Sequence, residues 1–277
     1  MSRRKKKGAD RKNGADLLRE WQRERLLRDR ELPRPATGPS EVTLLAYHFR
    51  PESQEEERFP FLECAIRESW RQCGFLHTVV VTHSASPALR AFAEPYGIHF
   101  RIQEEKSLVP GRPETMAADM LLRLHERFTT PFVLVVQDDA FPLRPGLGSF
   151  LDDWDFCGAP LLRDHWWTNL LARYTNGHAM DGAFSLRTRA LCERAAAEWA
   201  ARGGRREPAR GLAENLVYTR TLPRSVLSYR IAARFPSSRE ALRFSYAGTG
   251  PFTGGIPPFG FHGAAAFKAL AAANKIP

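Results

Sequence analysis

Hydrophobic and polar positions along residues 42–136 fall into blocks that predict strands separated by helices. Short apolar runs, which indicate strands buried in a sheet, occupy residues 42–48, 76–82, 98–102 and 132–136. The segments between these runs have apolar side chains at helical spacing. Regular alternation of strands and helices is typical of right-handed crossovers. We therefore expect an α/β, Rossmann-type fold with a mostly parallel central sheet flanked by helices.

The N-terminal segment has a different pattern. Residues 15–32 are strong helix formers, but their apolar stripe is imperfect because Leu26 and Leu27 fall outside it. This pattern favours a solvated charged helix over a docked or membrane-surface helix. Prolines then mark a linker. We expect residues 1–38 to form a basic, partly disordered or helical extension, and residues 39–277 to form one domain.

Charge is concentrated in that extension. The 277-residue chain has a net charge of +10, yet residues 1–34 hold 13 Lys or Arg against 6 Asp or Glu, so about +7 of it lies there. The folded domain is therefore not expected to bind nucleic acid. The basic cluster at residues 3–7 is compatible with an anionic membrane surface as a partner.

The cysteines and the apolar runs indicate in which cellular compartment the protein is expected. Four cysteines occur without CxxC spacing, which indicates buried free thiols in a reducing compartment. The basic N-terminus is not followed by the apolar region of a secretory signal, and no apolar run reaches 18 residues. We expect a cytoplasmic protein, peripheral at the membrane if the basic cluster binds lipid.

The second half of the chain is less regular. Residues 236–263 contain many Gly and Pro residues and are expected to form a lid or binding loop. Neither GxGxxG after the first strand nor a GxxxxGK[ST] loop is present, which disfavours a dinucleotide dehydrogenase and a P-loop NTPase.

The most informative segment is 131–141, where a buried strand ends in Asp138 and Asp139. Ligands of parallel sheets bind beyond the carboxyl ends of the strands. Two carboxylates at such an edge favour a divalent cation that carries a phosphate ligand. The alternative is that these residues only form a turn or cap a helix.

Five short segments in this order resemble the DUF5672 family, glycosyltransferase-like proteins related to GT-A enzymes. They are QDDAF at 137–141, DFCGAP at 155–160, DGAFSLR at 181–187, EN at 214–215 and PFGFHG at 258–263. The resemblance covers roughly residues 42–268. It implies a nucleotide-diphosphate-sugar donor, an acceptor that it does not identify, and Mn²⁺ or Mg²⁺ as cofactor.

The resemblance also implies a metal site. Gln137, Asp138 and Asp139 match a Gln-x-Asp version of the DxD motif, with Asp139 as the expected metal ligand. A C-terminal histidine that completes such a site would be His262. Without the resemblance, His262 reads as an ordinary hydrogen-bonded loop histidine.

The catalytic base is less well defined. The acidic pair that often supplies it reads Glu214-Asn215 here, so Asn replaces an expected Asp and the base is Glu214 or Asp181, unless the transfer is retaining. The alternatives are a helix-terminal carboxylate for Glu214 and a turn residue for Asp181.

Three further residues are candidates for donor binding. Arg187 could pair bidentately with diphosphate oxygens, or be a surface arginine. His48 and Arg50 follow the first strand, where the nucleotide is expected.

The sequence therefore predicts a metal-assisted glycosyltransferase. One alternative is a catalytically silent protein that binds nucleotide sugars, because of Asn215. The other is a nucleic-acid-associated protein whose contacts come from the basic tail.

Overall fold

The structure, a computed structural model, describes residues 13–28, 40–48, 52–160, 180–201, 233–248, 252 and 255–276. The strands, in chain order, are β1 Val42–His48, β2 His77–Thr82, β3 Phe100–Glu104, β4 Phe132–Val136, β5 Ala140–Pro142, β6 Phe156–Pro160, β7 Met180–Thr188, β8 Ser245–Tyr246 and β9 Gly260–His262. The helices are α1 Gly14–Arg28, α2 Glu52–Cys73, α3 Pro87–Ala93, α4 Pro113–Leu122, α5 Leu124–Arg127, α6 Arg189–Ala201, α7 Ser238–Phe244 and α8 Ala264–Ala272, with 3₁₀ turns at Glu94–His99 and Leu147–Phe150.

Six strands form the central sheet in the order β3-β2-β1-β4-β7-β6. All adjacent pairs among β1, β2, β3 and β4 are parallel, and β7 runs antiparallel to both β4 and β6. The four predicted strands and the helices between them are present. The structure therefore confirms the predicted α/β fold with a mostly parallel central sheet flanked by helices.

Helices cover both faces of this sheet because the strand side chains alternate between two apolar clusters. Val42, Leu44 and Ala46 of β1 pack on the face covered by α2, and Leu45 and Tyr47 pack on the face covered by α4 to α6. Every residue of β1 is buried. Burial on both faces is what a continuous apolar run requires.

The strands end so that one edge collects candidate side chains. Ala46 pairs with Val136, so β1 and β4 reach their carboxyl ends together. Pro160, the last residue of β6, pairs with Met180, the first residue of β7, at the same edge. This edge therefore receives the residues that follow β1 and β4 and those that begin β7.

A second sheet of three short strands, in the order β5-β9-β8, extends from this edge. Residues 236–263 were expected to be a loop, but their described part contains α7, β8 and β9. β9 pairs antiparallel with β5 and parallel with β8. Pairing with β5 gives this Gly- and Pro-rich segment a fixed position beside the turn after β4.

The N-terminal helix α1 packs against the domain. Leu18 is buried, and the Trp21 ring stacks on Phe141 at a centroid distance of 5.8 Å and meets Phe267 edge-on at 5.6 Å. Gly14 permits this close approach, because a Cβ there would lie 2.5 Å from the carbonyl oxygen of Ala264. These contacts show that the prediction of a solvated helix was wrong. The sequence pattern did not indicate docking because the contacts use only one narrow apolar stripe of the helix.

The cysteines are free thiols, as expected, with Cys64, Cys157 and Cys192 buried and Cys73 half-buried. Within the described ranges, none of the helices combines the length and apolar character that crossing a membrane requires.

Candidate functional site

Asp138 and Asp139 occupy the two central positions of a tight turn after β4. The N–H of Gln137 donates to the carbonyl oxygen of Ala140 at 2.9 Å, and the N–H of Ala140 donates back to Gln137 at 3.1 Å. Neither aspartate has a positive φ. The turn closes directly onto β5, so the two carboxylates leave the sheet at its carboxyl edge. Asp138 and Asp139 can therefore both form the turn and face a metal ion, so the two interpretations of these residues are compatible.

Strand pairing brings His262 to this turn. Ala140 of β5 is the partner of His262 in β9, and the N–H of Gly263 donates to the carbonyl oxygen of Asp139 at 2.9 Å. As a result, Nε2 of His262 lies 3.9 Å from Oδ1 of Asp139. The side chains of His262 and Asp139 are exposed by 27% and 40%. Both expected metal ligands therefore stand side by side and remain open to solvent.

Asp181 fixes the other side of the imidazole. It lies at the start of β7, and its Oδ2 accepts a hydrogen bond from Nδ1 of His262. Its Oδ1 accepts from the N–H of Ala183 at 2.9 Å. A hydrogen bond at Nδ1 leaves Nε2 directed at Asp139. Metal-binding histidines in proteins are oriented in this way by a carboxylate behind the ring.

Hydrogen bonds and neighbouring charges shift the pKa values of both His262 and Asp181. Burial alone would lower the pKa of His262, but the hydrogen bond and charge of Asp181, with the charges of Asp139 and Asp138, raise it to about 9. Burial alone would raise the pKa of Asp181, but His262, the N–H of Ala183 and the charge of Arg187 hold it below its ordinary value. At neutral pH, the ion-free site therefore contains an imidazolium among carboxylates.

The pair fits a divalent ion. Two bonds of about 2.0–2.2 Å to one ion allow donor atoms to stand up to roughly 4 Å apart, which accommodates the 3.9 Å between Oδ1 and Nε2. Carboxylate and imidazole suit Mn²⁺, whereas Mg²⁺ prefers oxygen ligands. Among the described residues no group of three His, Cys, Asp or Glu side chains is arranged for an ion. The described residues thus offer Asp139 and His262 as ligands, and water and phosphate oxygens could fill further coordination positions.

Two other predicted site residues lie at this edge but face inward. Gln137 directs its amide nitrogen to the sulfur of Met116 at 3.7 Å. His48 ends β1 and is buried, with its ring edge-on to Phe59 at 6.4 Å. Arg50 and Glu214, the other predicted nucleotide and catalytic residues, lie outside the described residues.

The structure corrects the prediction for Arg187. Its side chain is fully buried, with Nε donating to Oγ of Ser185 at 3.0 Å and a terminal nitrogen donating to the carbonyl oxygen of Gly182 at 3.1 Å. The guanidinium carbon lies 5.1 Å from the centre of the Phe156 ring. Arg187 therefore braces the start of β7 from inside and is not exposed to a diphosphate.

Sequence reasoning missed two residues that shape the site. Gly158 of β6 faces the backbone of Asp181, and a Cβ there would lie 2.2 Å from the Asp181 carbonyl oxygen. Gln22 of α1 is buried and donates to the carbonyl oxygen of Asp138 at 2.6 Å. The signal for Gln22 was its position four residues after Leu18, on the apolar side of the helix. Gly158 gave no signal before the pairing of β6 with β7 was known.

Comparison with known proteins identifies one family. The family described as "Protein of unknown function (DUF5672)" matches residues 114–262, which is more than half of the chain. This range contains the turn after β4, the start of β7 and His262. No curated protein matches the sequence.

Several solved structures are similar to the chain. A mannosyltransferase from Pyrobaculum calidifontis in complex with GDP-Man and Mn²⁺ has 18% identity and a TM-score of 0.37, over 65% of this chain and 54% of that one. The core-mannan synthase A of Aspergillus fumigatus, in its Mn/GDP form, has 8% identity and a TM-score of 0.45, over 69% and 74%. The mannosyltransferase Ktr4p of S. cerevisiae with GDP has 10% identity and a TM-score of 0.43, over 85% and 79%. The chain thus spans about half the length of the first of these proteins.

Proposed function

The chain belongs to the DUF5672 family, and we propose that it is a metal-assisted glycosyltransferase that uses a nucleotide-diphosphate-sugar donor. One observation carries the proposal: at the carboxyl edge of a parallel sheet, Asp139 and His262 face each other with donor atoms 3.9 Å apart, and Asp181 fixes the imidazole from behind. The carboxyl edge is where ligands of such sheets bind.

The chemistry of the transfer matches what this edge offers. When the anomeric bond breaks, negative charge develops on the departing nucleoside diphosphate. A divalent ion bound there would neutralise that charge without a proton transfer. In the proposed site, Oδ1 of Asp139 and Nε2 of His262 would hold the ion, and Asp181 would keep the proton on Nδ1 so that Nε2 presents its lone pair.

The role of Asp138 is assigned by its position in the turn, and the role of the base is assigned by elimination. Asp138 would contribute negative charge beside the ion, and the edge at the ends of β1 and β4 would receive the nucleotide. The Asp181 carboxylate is engaged by His262, which favours Glu214 over Asp181 as the base that takes the acceptor proton. The proposed donor contacts do not include Arg187, because its guanidinium is buried.

A direct experiment is a screen of the purified 277-residue chain against a panel of nucleotide sugars, with and without Mn²⁺. Thermal shift would report binding, and release of free nucleotide would report turnover. We expect one donor class to raise the melting temperature in a metal-dependent way. Asp139→Ala and His262→Ala should each abolish that shift, while the exposed control Asp153→Ala should retain it.

The screen also separates the catalytic proposal from its alternative. Metal-dependent binding of a donor without hydrolysis or transfer would indicate a nucleotide-sugar-binding protein, and Asn215→Asp would then be tested for restored turnover. Absence of binding by every donor with every divalent ion would overturn the proposal.

A further inference from the structure

The N-terminal helix contributes one polar side chain to the interior. Leu18 and Gln22 are the buried residues of α1, one helical turn apart on the side that faces the domain. Gln22 is exposed by 1%. Burying an amide costs free energy unless its hydrogen-bonding atoms find partners. The side chain of Gln22 must therefore be held by specific contacts rather than by apolar packing.

Those contacts lead to the aspartate turn. Nε2 of Gln22 donates to the carbonyl oxygen of Asp138 at 2.6 Å and lies 3.4 Å from the carbonyl oxygen of Phe61 in α2. The Asp138 carbonyl belongs to the peptide between Asp138 and Asp139, the central peptide of the turn. Gln22 thus joins α1 and α2 to the backbone that carries the proposed metal ligand.

The central peptide of a β-turn is the one whose orientation distinguishes type I from type II. In the type II orientation the second central residue takes a positive φ, which Gly and Asn tolerate best. Asp139 is that residue and its φ is not positive. A donor fixed on the Asp138 carbonyl opposes rotation of this peptide and so holds the direction in which the Asp139 side chain leaves the turn.

The next peptide is held from the other end of the chain. The N–H of Gly263, which begins the connection from β9 to α8, donates to the carbonyl oxygen of Asp139 at 2.9 Å. Helices α1 and α8 pack on each other at Gly14 and Ala264. The backbone carbonyl oxygens of both aspartates therefore accept a hydrogen bond. The donor to Asp138 lies in α1, and the donor to Asp139 is the residue after His262.

We propose that Gln22 is a positioning residue of the metal site and that α1 is part of the working enzyme rather than an extension of it. The hydrogen bond from Gln22 fixes the Asp138–Asp139 peptide and thereby aims the Asp139 carboxylate at His262. This inference rests on the proposed function, which identifies the site as a metal site. The hydrogen bond from Gln22 to the Asp138 carbonyl oxygen and its effect on the turn can be measured without a ligand.

The test uses Gln22→Met, which keeps the length and helix propensity of the side chain but removes the donor. The matched control is Arg28→Met, which introduces the same residue at an exposed position of the same helix. Amide hydrogen exchange of residues 137–141, with no ligand added, reports the turn. Mn²⁺ affinity, measured from the electron paramagnetic resonance of the free ion, reports the site.

We expect Gln22→Met to accelerate exchange of the Gln137 and Ala140 amides at least tenfold, with exchange in α1 and β1 unchanged, and to weaken Mn²⁺ binding about tenfold. Arg28→Met should change neither. Unchanged exchange in the turn would overturn the inference. Uniformly faster exchange in α1, β1 and the turn would also overturn it, since Gln22 would then act through general packing. If the wild-type chain bound neither Mn²⁺ nor Mg²⁺, the proposed function would fail, while the exchange result would still decide whether Gln22 fixes the turn.

Discussion

Nε2 of His262 lies 3.9 Å from Oδ1 of Asp139, although the two residues come from distant parts of the chain. The contact exists because β9 pairs with β5 directly after the aspartate turn, with His262 opposite Ala140. Asp181 then orients the ring from behind. Three segments that are separate in sequence thereby form one acidic, histidine-containing edge, and each makes a different contribution that mutation can separate.

Asp181→Asn is expected to weaken Mn²⁺ binding about 10- to 100-fold, the usual cost of removing a carboxylate behind a metal-binding histidine. An amide can either donate to or accept from Nδ1, so it no longer fixes which nitrogen carries the proton. The pKa of His262 should also fall, because the charge that raises it is gone. Ion titration and NMR of the imidazole nitrogens would measure both effects.

The control for this variant is Asp153→Asn at an exposed position, which should leave both quantities unchanged. The competing assignment makes a different prediction. If Asp181 were the catalytic base, the variant would lose transfer while its Mn²⁺ affinity stayed at the wild-type level, and the positioning role would be wrong.

Ion binding should strengthen as pH rises. The pKa of His262 is raised to about 9, so Nε2 is protonated at neutral pH and an ion must displace one proton. The apparent Mn²⁺ affinity should increase about tenfold per pH unit from pH 6.5 towards 9. Titrations at pH 6.5, 7.5 and 8.5 would show this slope, and a slope near zero would contradict it. Any residual binding in His262→Ala should lack this dependence.

In the ion-free protein, the same group makes stability change in the opposite direction. A pKa raised in the folded state means that His262 stabilises the fold fully below about pH 6.5, its unfolded value. This contribution is lost as pH rises through about 9. Thermal unfolding without metal should therefore show a decline over that window that Asp181→Asn reduces.

The parts of this fold that local pattern controls could be predicted from sequence. β1 and β4 are continuous apolar runs that only a doubly covered sheet accommodates, and their burial follows the prediction. The turn at Asp138 and Asp139 follows from residue type. The position of His262 was expected from a motif resemblance, because no local pattern places β9 beside β5.

The features that depend on long-range contacts were not predicted from the sequence. β7 was not predicted as a strand, because the sequence around Asp181 offered only a turn or a catalytic interpretation. Arg187 was consequently expected at the surface, whereas the pairing of β7 between β4 and β6 buries it. α1 was expected in solvent because its contacts use a few side chains of an otherwise charged helix, and packing of this kind depends on the surface it meets.

Gly158→Ala tests the close contact between β6 and β7. A methyl group 2.2 Å from the carbonyl oxygen of Asp181 forces the strands apart where their register shifts. We expect a loss of about 1–3 kcal/mol in the free energy of unfolding, as for overpacked cores, with weaker Mn²⁺ binding because Asp181 moves. Urea denaturation would measure the loss. Gly148→Ala, where a Cβ meets open space, should change stability by less than about 0.5 kcal/mol.

A partly buried ionic network lies apart from the metal site. Glu105, which follows β3, accepts hydrogen bonds from Arg127 at 2.8 Å and from Arg123 at 2.5 Å. Arg127 also pairs with Asp119 in α4, and Asp119 accepts from the hydroxyl of Tyr47 in β1 at 2.8 Å. The network thus connects β1 and β3 to the helices on one face of the sheet.

Glu105 should make the fold acid-sensitive. Burial alone would raise the pKa of Glu105, but hydrogen bonds from Arg127 and Ser107 and the charge of Arg123 lower it to about 2. A lowered folded-state pKa contributes stability above the unfolded value of about 4.3, and this is lost as pH falls towards 2. Glu105→Gln should therefore cost about 2 kcal/mol at pH 7, and its difference from wild type should shrink as pH falls from 4.5 to 2.5.

Glu126→Gln is the matched control, because Glu126 also pairs with Arg123 but is exposed by 52%. Exposed ion pairs contribute little, so this variant should lose less than about 1 kcal/mol at pH 7. Urea denaturation of both variants at several pH values would make the comparison. An equal and pH-independent loss in the two would mean that Glu105 stabilises the fold through packing alone, because the lowered pKa of Glu105 should make its contribution depend on pH in this range.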